Sequence, residues 1–430
     1  MKSFFPHPVC AGIALLLMVN TIPEKIIAQS MVSNTSEEKV PPYTLPDPLL
    51  DKDGKKITSA GAWNNRQRPY IYHLFEENVY GRFPQKKVPV QYEARETGKQ
   101  ALGGLATRKQ VRIHFGEASA NAYMDVLIYL PAAAKGPVPV FVGYNFSGNH
   151  TVANDKEILL SDRWIAMRSK GVVNNKATDS SRGAGASQWQ VKEILSHGYG
   201  IAVAYYGDIE PDTTDGWKTG IRTTLSNALQ IKPEEWGAIG AWAWGLSRIM
   251  DYLQQDAAVD AKKVAVFGHS RLGKSALWAG ASDRRFAMVI SNESGEGGAA
   301  LSKRWYGETV SIINQHFPHW FAPNYKKYND NTAALPVDQH MLLSLMAPRP
   351  LYVASAEGDQ WSDPKGEFLS AQYAGTVYAL FNKKGIDTNS MPGLNQPVGN
   401  TIRYHYRTGK HDVTLYDWQQ YLGFADTYWK

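Results

Sequence analysis

Short apolar runs recur through most of this chain, and helical patterns separate the later ones. The runs are Val111 to Phe115, Tyr123 to Leu130, Val138 to Tyr144, Gly200 to Tyr205, Val264 to Gly268, Met288 to Ser291, Leu351 to Ser355 and Thr401 to Arg407. The first two are expected to form a hairpin. The later ones are rich in Val, Ile and Tyr with little polar alternation, as strands buried on both faces of a parallel sheet must be. Between them, Glu235 to Leu253 places Ile239, Trp242, Leu246, Ile249, Met250 and Leu253 at steps of three and four. That spacing predicts a helix, with Pro233 near its start. A second helix is predicted over Gln188 to His197, stopped by Gly198. Alternating strands and helices specify a doubly wound, mostly parallel eight-stranded sheet with right-handed crossovers. The polar stretches Ser147 to Ser187 and Leu301 to Asp338 read as loop insertions.

The start of the chain has a different character. Lys2 precedes an apolar run from Val9 to Val19, and Ile26-Ile27-Ala28 stands before Gln29 like a cleavage site. Residues 1–28 are therefore expected to be a secretory signal, too short for a convincing membrane span. Residues 29–430 are expected to form a single domain behind a loose polar leader from about Ser30 to Val40. The expected location is periplasmic or secreted, with no stable membrane insertion once the signal is removed. The one cysteine, Cys10, lies inside the signal, so neither disulfides nor thiolate zinc sites are available to the mature chain. His316 and His319 are spaced like metal ligands but have no Cys or H-E-x-x-H pattern beside them, and neither metal nor cofactor is expected. The net charge of +6 comes without any dense Lys/Arg block, which argues against nucleic acid as a partner. A chain with 23 Tyr and 13 Trp has many flat faces for stacking on sugars, although a large core would use them too.

The sharpest local signal is Val264-Ala265-Val266-Phe267-Gly268-His269-Ser270-Arg271-Leu272-Gly273-Lys274. An apolar strand ends at Gly268 and a helix begins just after Ser270. A serine on such a turn is held at a strained backbone angle with its hydroxyl exposed, and the helix start offers N–H groups to a developing oxyanion. Leu272 stands where the usual G-x-S-x-G has its second glycine, which comes one residue later. Ser270 follows the fifth run, where the α/β-hydrolase fold carries its nucleophile. The base is then a histidine after the last strand. His411 fits that place, and His405, inside the strand pattern, reads as structural. Two acids compete: Asp359 after the seventh run and Glu293 after the sixth. Each can also be read as a turn or helix cap.

These residues, with others downstream, resemble the glucuronoyl esterases of carbohydrate esterase family 15, in particular their bacterial branch. The resemblance covers roughly Trp63 to the C-terminus. It rests on the elbow Gly268 to Lys274, then Ser291-Asn292-Glu293-Ser294-Gly295, Gly307-Glu308-Thr309, Phe317-Pro318-His319-Trp320-Phe321, Leu335 to His340, Ala347-Pro348-Arg349-Pro350, His411-Asp412 and Asp417-Trp418. It implies an α/β-hydrolase fold and cleavage of esters between 4-O-methyl-glucuronic acid on xylan and lignin alcohols. Position by position, Ser270 resembles the nucleophile, His411 the base, Glu293 the family's acid and Asp359 the second acid of many bacterial members. Arg271 resembles the oxyanion donor, while Lys274, Glu308 and Trp361 resemble residues that bind the uronate sugar. Lys274 lies at i+4 from Ser270, on the same side of the expected helix. Without the resemblance, Lys274 and Glu308 read as a surface ion pair. The expected partner is glucuronoxylan or a lignin–carbohydrate ester. Acetyl-xylan or cinnamoyl esterases on the same fold are the rivals, and a non-catalytic xylan-binding protein is a more distant one.

Overall fold

A computed structural model describes residues 1–2, 33–117 and 121–430. The segment read as a signal lies outside the described residues. From Ser33 onward the chain forms one compact unit. Its centre is a ten-stranded sheet made of β1 (Val90–Gln100), β2 (Ala106–Phe115), β3 (Ala122–Pro131), β4 (Val138–Asn145), β5 (Gly200–Tyr205), β6 (Val259–His269), β7 (Met288–Asn292), β8 (Leu351–Ala356), β9 (Val398–Gly399) and β10 (Ile402–Arg407). The spatial order is β1-β2-β3-β5-β4-β6-β7-β8-β10-β9. Pairings are antiparallel from β1 to β5 along this order, parallel from β5 to β10, and antiparallel again at β9.

All eight expected runs are strands of this sheet. The two additional strands lie at its edges. β1 alternates partly and fully exposed positions along its length, so it carries no apolar run to recognise. β9 has only two residues. The strands of the parallel part are apolar throughout because both faces are covered. Val264 and Val266 pack with the helix Ala238–Leu253 on one side. Ala265 and Phe267 pack against Trp418 and Tyr421 of the helix Leu415–Trp429 on the other.

The predicted helix over Glu235 to Leu253 runs from Ala238 to Leu253, with Pro233–Glu235 forming a separate 3-10 turn before it. The second predicted helix is broken. Gln190 takes a left-handed φ of 43° and divides Ala186–Trp189 from Val191–Ser196. A left-handed non-glycine residue interrupts the helical ladder.

The end of the leader is fastened to the domain rather than loose. Ser33 Oγ donates to the Gly307 carbonyl at 2.7 Å, and Gly307 N donates to the Asn34 carbonyl at 2.7 Å. Glu37 pairs with Arg304 at 2.6 Å and Lys365 at 2.7 Å. Among the described residues, no helix is long and apolar enough to cross a membrane.

Candidate active site

Four parallel strands, β6, β7, β8 and β10, deliver the central residues from their C-terminal ends, the edge where open α/β sheets carry their ligands. β6 ends at His269 and the helix Arg271–Ser282 starts two residues later, so Ser270 is the turn itself. Its φ is 57° and its ψ is −131°. That is a strained conformation for a residue with a Cβ, held by surrounding contacts. Ser270 N donates to the Asn292 carbonyl of β7 at 2.9 Å, and the Ser270 carbonyl accepts from Gly273 N at 2.8 Å. The displaced glycine has a steric reason. A Cβ at Gly268 would lie 2.0 Å from the Leu272 carbonyl oxygen, and one at Gly273 would lie 2.9 Å from the Ser294 side chain. Position 272 is instead filled by a buried leucine that belongs to the core.

Glu293 follows β7 and Asp359 follows β8, and both reach His411, which lies beyond β10. His411 Nδ1 is 2.6 Å from Asp359 Oδ2 and 3.1 Å from Glu293 Oε2. The two acids named as alternatives therefore share one ring nitrogen. Burial works against the imidazolium, but the hydrogen bonds and charges of Asp359 and Glu293 outweigh it and push His411 up to about 9. Burial raises Glu293 to about 7, against the pull of His411 and Arg407. Burial also works to raise Asp359, but its bond to His411 holds it below the usual carboxylate range. The His411 ring lies 4.4 Å, centroid to centroid, from that of His269, the neighbour of Ser270. His269 Nδ1 is 2.7 Å from Asn292 Oδ1. Burial, then the nearby His411 charge, hold His269 down at about 3, so it stays neutral.

The histidine loop is wrapped around Arg407, a residue that motif reading passed over. Its guanidinium donates to Glu293 Oε1 at 2.5 Å, to both Asp417 oxygens at 2.9 and 2.8 Å, and to the carbonyls of Thr408, Lys410 and Asp412. His411 is thus flanked by two residues whose carbonyls one buried cation holds. The signal that could have found it is a charged residue at the end of a buried parallel strand. His405 is wholly buried, 2.9 Å from Asp417 and 3.0 Å from the Tyr352 hydroxyl.

The helix after Ser270 carries the next group. Arg271 is its first residue, and its Nη1 donates to Asp212. Its guanidinium carbon lies 4.8 Å from the Trp320 ring centroid. Lys274 is buried, donates to the Ser294 carbonyl, and stands 4.0 Å from Glu308. Burial disfavours the charge on both, lowering Lys274 and raising Glu308, while each partner's charge opposes the shift. Glu308 N donates to the Trp361 carbonyl at 2.8 Å, and Trp361 is 41% exposed. The two charges do pair, but not at the surface: both side chains are buried, and the pair forms part of this cluster. The insertion Leu301 to Asp338 supplies Glu308, His319 and Trp320. His316 and His319 do not converge: His319 Nε2 is 2.8 Å from Asp212, and His316 stacks against Trp361. Asp212 carried no motif to mark it.

The family model described as fungal glucuronyl esterase matches residues 217–382. The chain is 51% identical over 404 residues to a carbohydrate esterase of an unidentified prokaryote, covering 93% of each. It is 39% identical over 373 residues to 4-O-methyl-glucuronoyl methylesterase 1 of Wolfiporia cocos, covering 83% of this chain and 77% of that protein. A solved glucuronoyl esterase from Solibacter usitatus superposes with a TM-score of 0.87 at 54% identity, over 92% of this chain and 100% of that one. Fold and relatives define a carboxylic ester hydrolase of the α/β-hydrolase type. Within that class, the chain belongs to the glucuronoyl esterases of carbohydrate esterase family 15.

Proposed function

We propose that this enzyme hydrolyses esters of (4-O-methyl-)glucuronic acid, as found in lignin–carbohydrate linkages of glucuronoxylan, through Ser270. The observation that carries the reading is the shared hold of Asp359 and Glu293 on His411 Nδ1, with the ring against His269. Engaging Nδ1 leaves Nε2 as the nitrogen that takes the Ser270 proton. Ser270 Oγ then attacks the C6 carbonyl of the uronate. The oxyanion forms beside Arg271 and the N–H groups at the start of the helix. His411 returns the proton to the departing alcohol. Water, deprotonated by the same imidazole, releases glucuronate and restores Ser270.

The two carboxylates stabilise the imidazolium that exists during each half-reaction. His269, kept neutral, adds no positive charge against it. Lys274 and Glu308 offer a donor and an acceptor to sugar hydroxyls, and the exposed face of Trp361 suits stacking. The substrate's polymeric nature fits a periplasmic or secreted enzyme.

The test is hydrolysis of benzyl glucuronate and of acetylated xylan by the wild type and by Ser270→Ala. The reading requires preference for the glucuronate ester and loss of turnover in the variant. Full activity without Ser270, or preference for acetyl groups, would reject it.

A further inference from the structure

Arg271 does not wait in the site as a free cation. Its Nη1 is bonded to Asp212 Oδ2, and its Nε is buried with no hydrogen-bond partner among the described residues. Asp212 is itself fixed on every side. Oδ1 accepts from His319 Nε2 at 2.8 Å and from Trp320 Nε1 at 2.7 Å, and Oδ2 also accepts from the Tyr206 hydroxyl at 3.2 Å. Its side chain is 4% exposed and that of Arg271 is 16% exposed. Burial works to raise the Asp212 pKa, but the His319 bond, the Arg271 charge and the Trp320 bond outweigh it, and Asp212 stays ionised. A permanent carboxylate is therefore locked onto the guanidinium beside the nucleophile.

The reaction gives this pairing a consequence. The ester substrate is neutral at C6, while the oxyanion and the uronate product each carry a negative charge. An uncompensated Arg271 would hold the product as firmly as its charge allows. We propose that Asp212 is a positioning residue that shares Arg271 with the reacting carboxyl group, fixing its N–H groups while limiting its grip on the anionic product so that glucuronate leaves. This rests on the role given to Arg271 above.

Asp212→Asn separates the two effects. Its amide keeps one acceptor for His319 and Trp320, both donors, and turns an N–H toward Arg271, which breaks the pair. Binding is measured by calorimetry on full-length Ser270→Ala and on the Ser270→Ala, Asp212→Asn double variant, with glucuronate and with its neutral methyl ester as probes. We expect glucuronate to bind roughly tenfold tighter without the Asp212 charge, and the methyl ester to change by less than about twofold. A purely structural role would weaken both ligands. Unchanged or weaker glucuronate binding in a folded variant overturns the proposal.

Asp215→Asn serves as a control for overall charge, because Asp215 is exposed and, among the described residues, pairs only with Lys218 at the surface. It should leave both affinities unchanged, and an equal tightening there would attribute the effect to net charge and reject the proposal. If Asp212→Asn does not fold, Tyr206→Phe supplies a test of opposite sign. It removes the other donor to Oδ2, strengthens the hold on Arg271 and should weaken glucuronate binding. Unchanged or tighter binding then overturns the proposal. Arg271→Ala distinguishes the two levels: wild-type turnover and product affinity in that variant would remove the role given to Arg271 itself.

Discussion

The sharing of His411 by two carboxylates has a quantitative consequence. Nδ1 is 2.6 Å from Asp359 and 3.1 Å from Glu293, so removing either acid leaves the other in place to orient the ring. A hydrogen bond to a charged group contributes about 1.5 kcal/mol at the lower end of its range. Asp359→Ala and Glu293→Ala should then each lower kcat about tenfold. Losing the only orienting carboxylate of a serine triad costs about 10,000-fold, and the double variant should approach that loss. The product of the single effects is about a hundredfold, so the double variant should exceed it by about another hundredfold, a coupling of about 2.7 kcal/mol. Steady-state kinetics on benzyl glucuronate for the four proteins measures it. Thermal unfolding provides a second readout. Glu293 also pairs with buried Arg407, so its removal should cost about 3 kcal/mol of stability, and Asp359→Ala should cost less. A double variant whose loss merely equals the product of the single losses would refute the shared role.

Because its carboxylates raise His411, kcat/KM should fall as pH drops through the raised apparent pKa of the cluster, which belongs to the coupled groups together. Asp359→Asn removes part of that stabilisation and should move the acid limb to lower pH; a shift to higher pH in the measured profile would contradict this. Lys274→Met leaves Glu308 buried without its cation and should raise KM for the uronate ester about tenfold, with kcat changed less; the Michaelis curve decides. Arg407→Met strands Glu293 and Asp417 and should destabilise the fold by about 3–5 kcal/mol in a denaturant titration.

The legible part of the fold was the part with a periodic burden. Strands buried on both faces must be apolar throughout, and the eight expected runs are all present. β1 was hidden because most of its residues face solvent. The break at Gln190 was hidden because a single left-handed residue leaves the surrounding pattern intact. Ser270, Glu293, Asp359 and His411 each follow a recognisable strand, so chain order singles them out as candidates. Asp212 and Arg407 pair with residues 59 and 114 positions away. No local pattern records such pairings; only the placing of β5, β6, β7 and β10 in one sheet, with the segments that follow them, creates them.

The mechanism proposed for this site requires a covalent glucuronoyl ester on the Ser270 hydroxyl. Acid-quenching the enzyme during turnover of benzyl glucuronate, followed by peptide mass mapping, tests it directly. A glucuronoyl adduct is expected on the peptide holding Ser270, and none in Ser270→Ala. An adduct on another residue, or undiminished turnover in that variant, would contradict the mechanism.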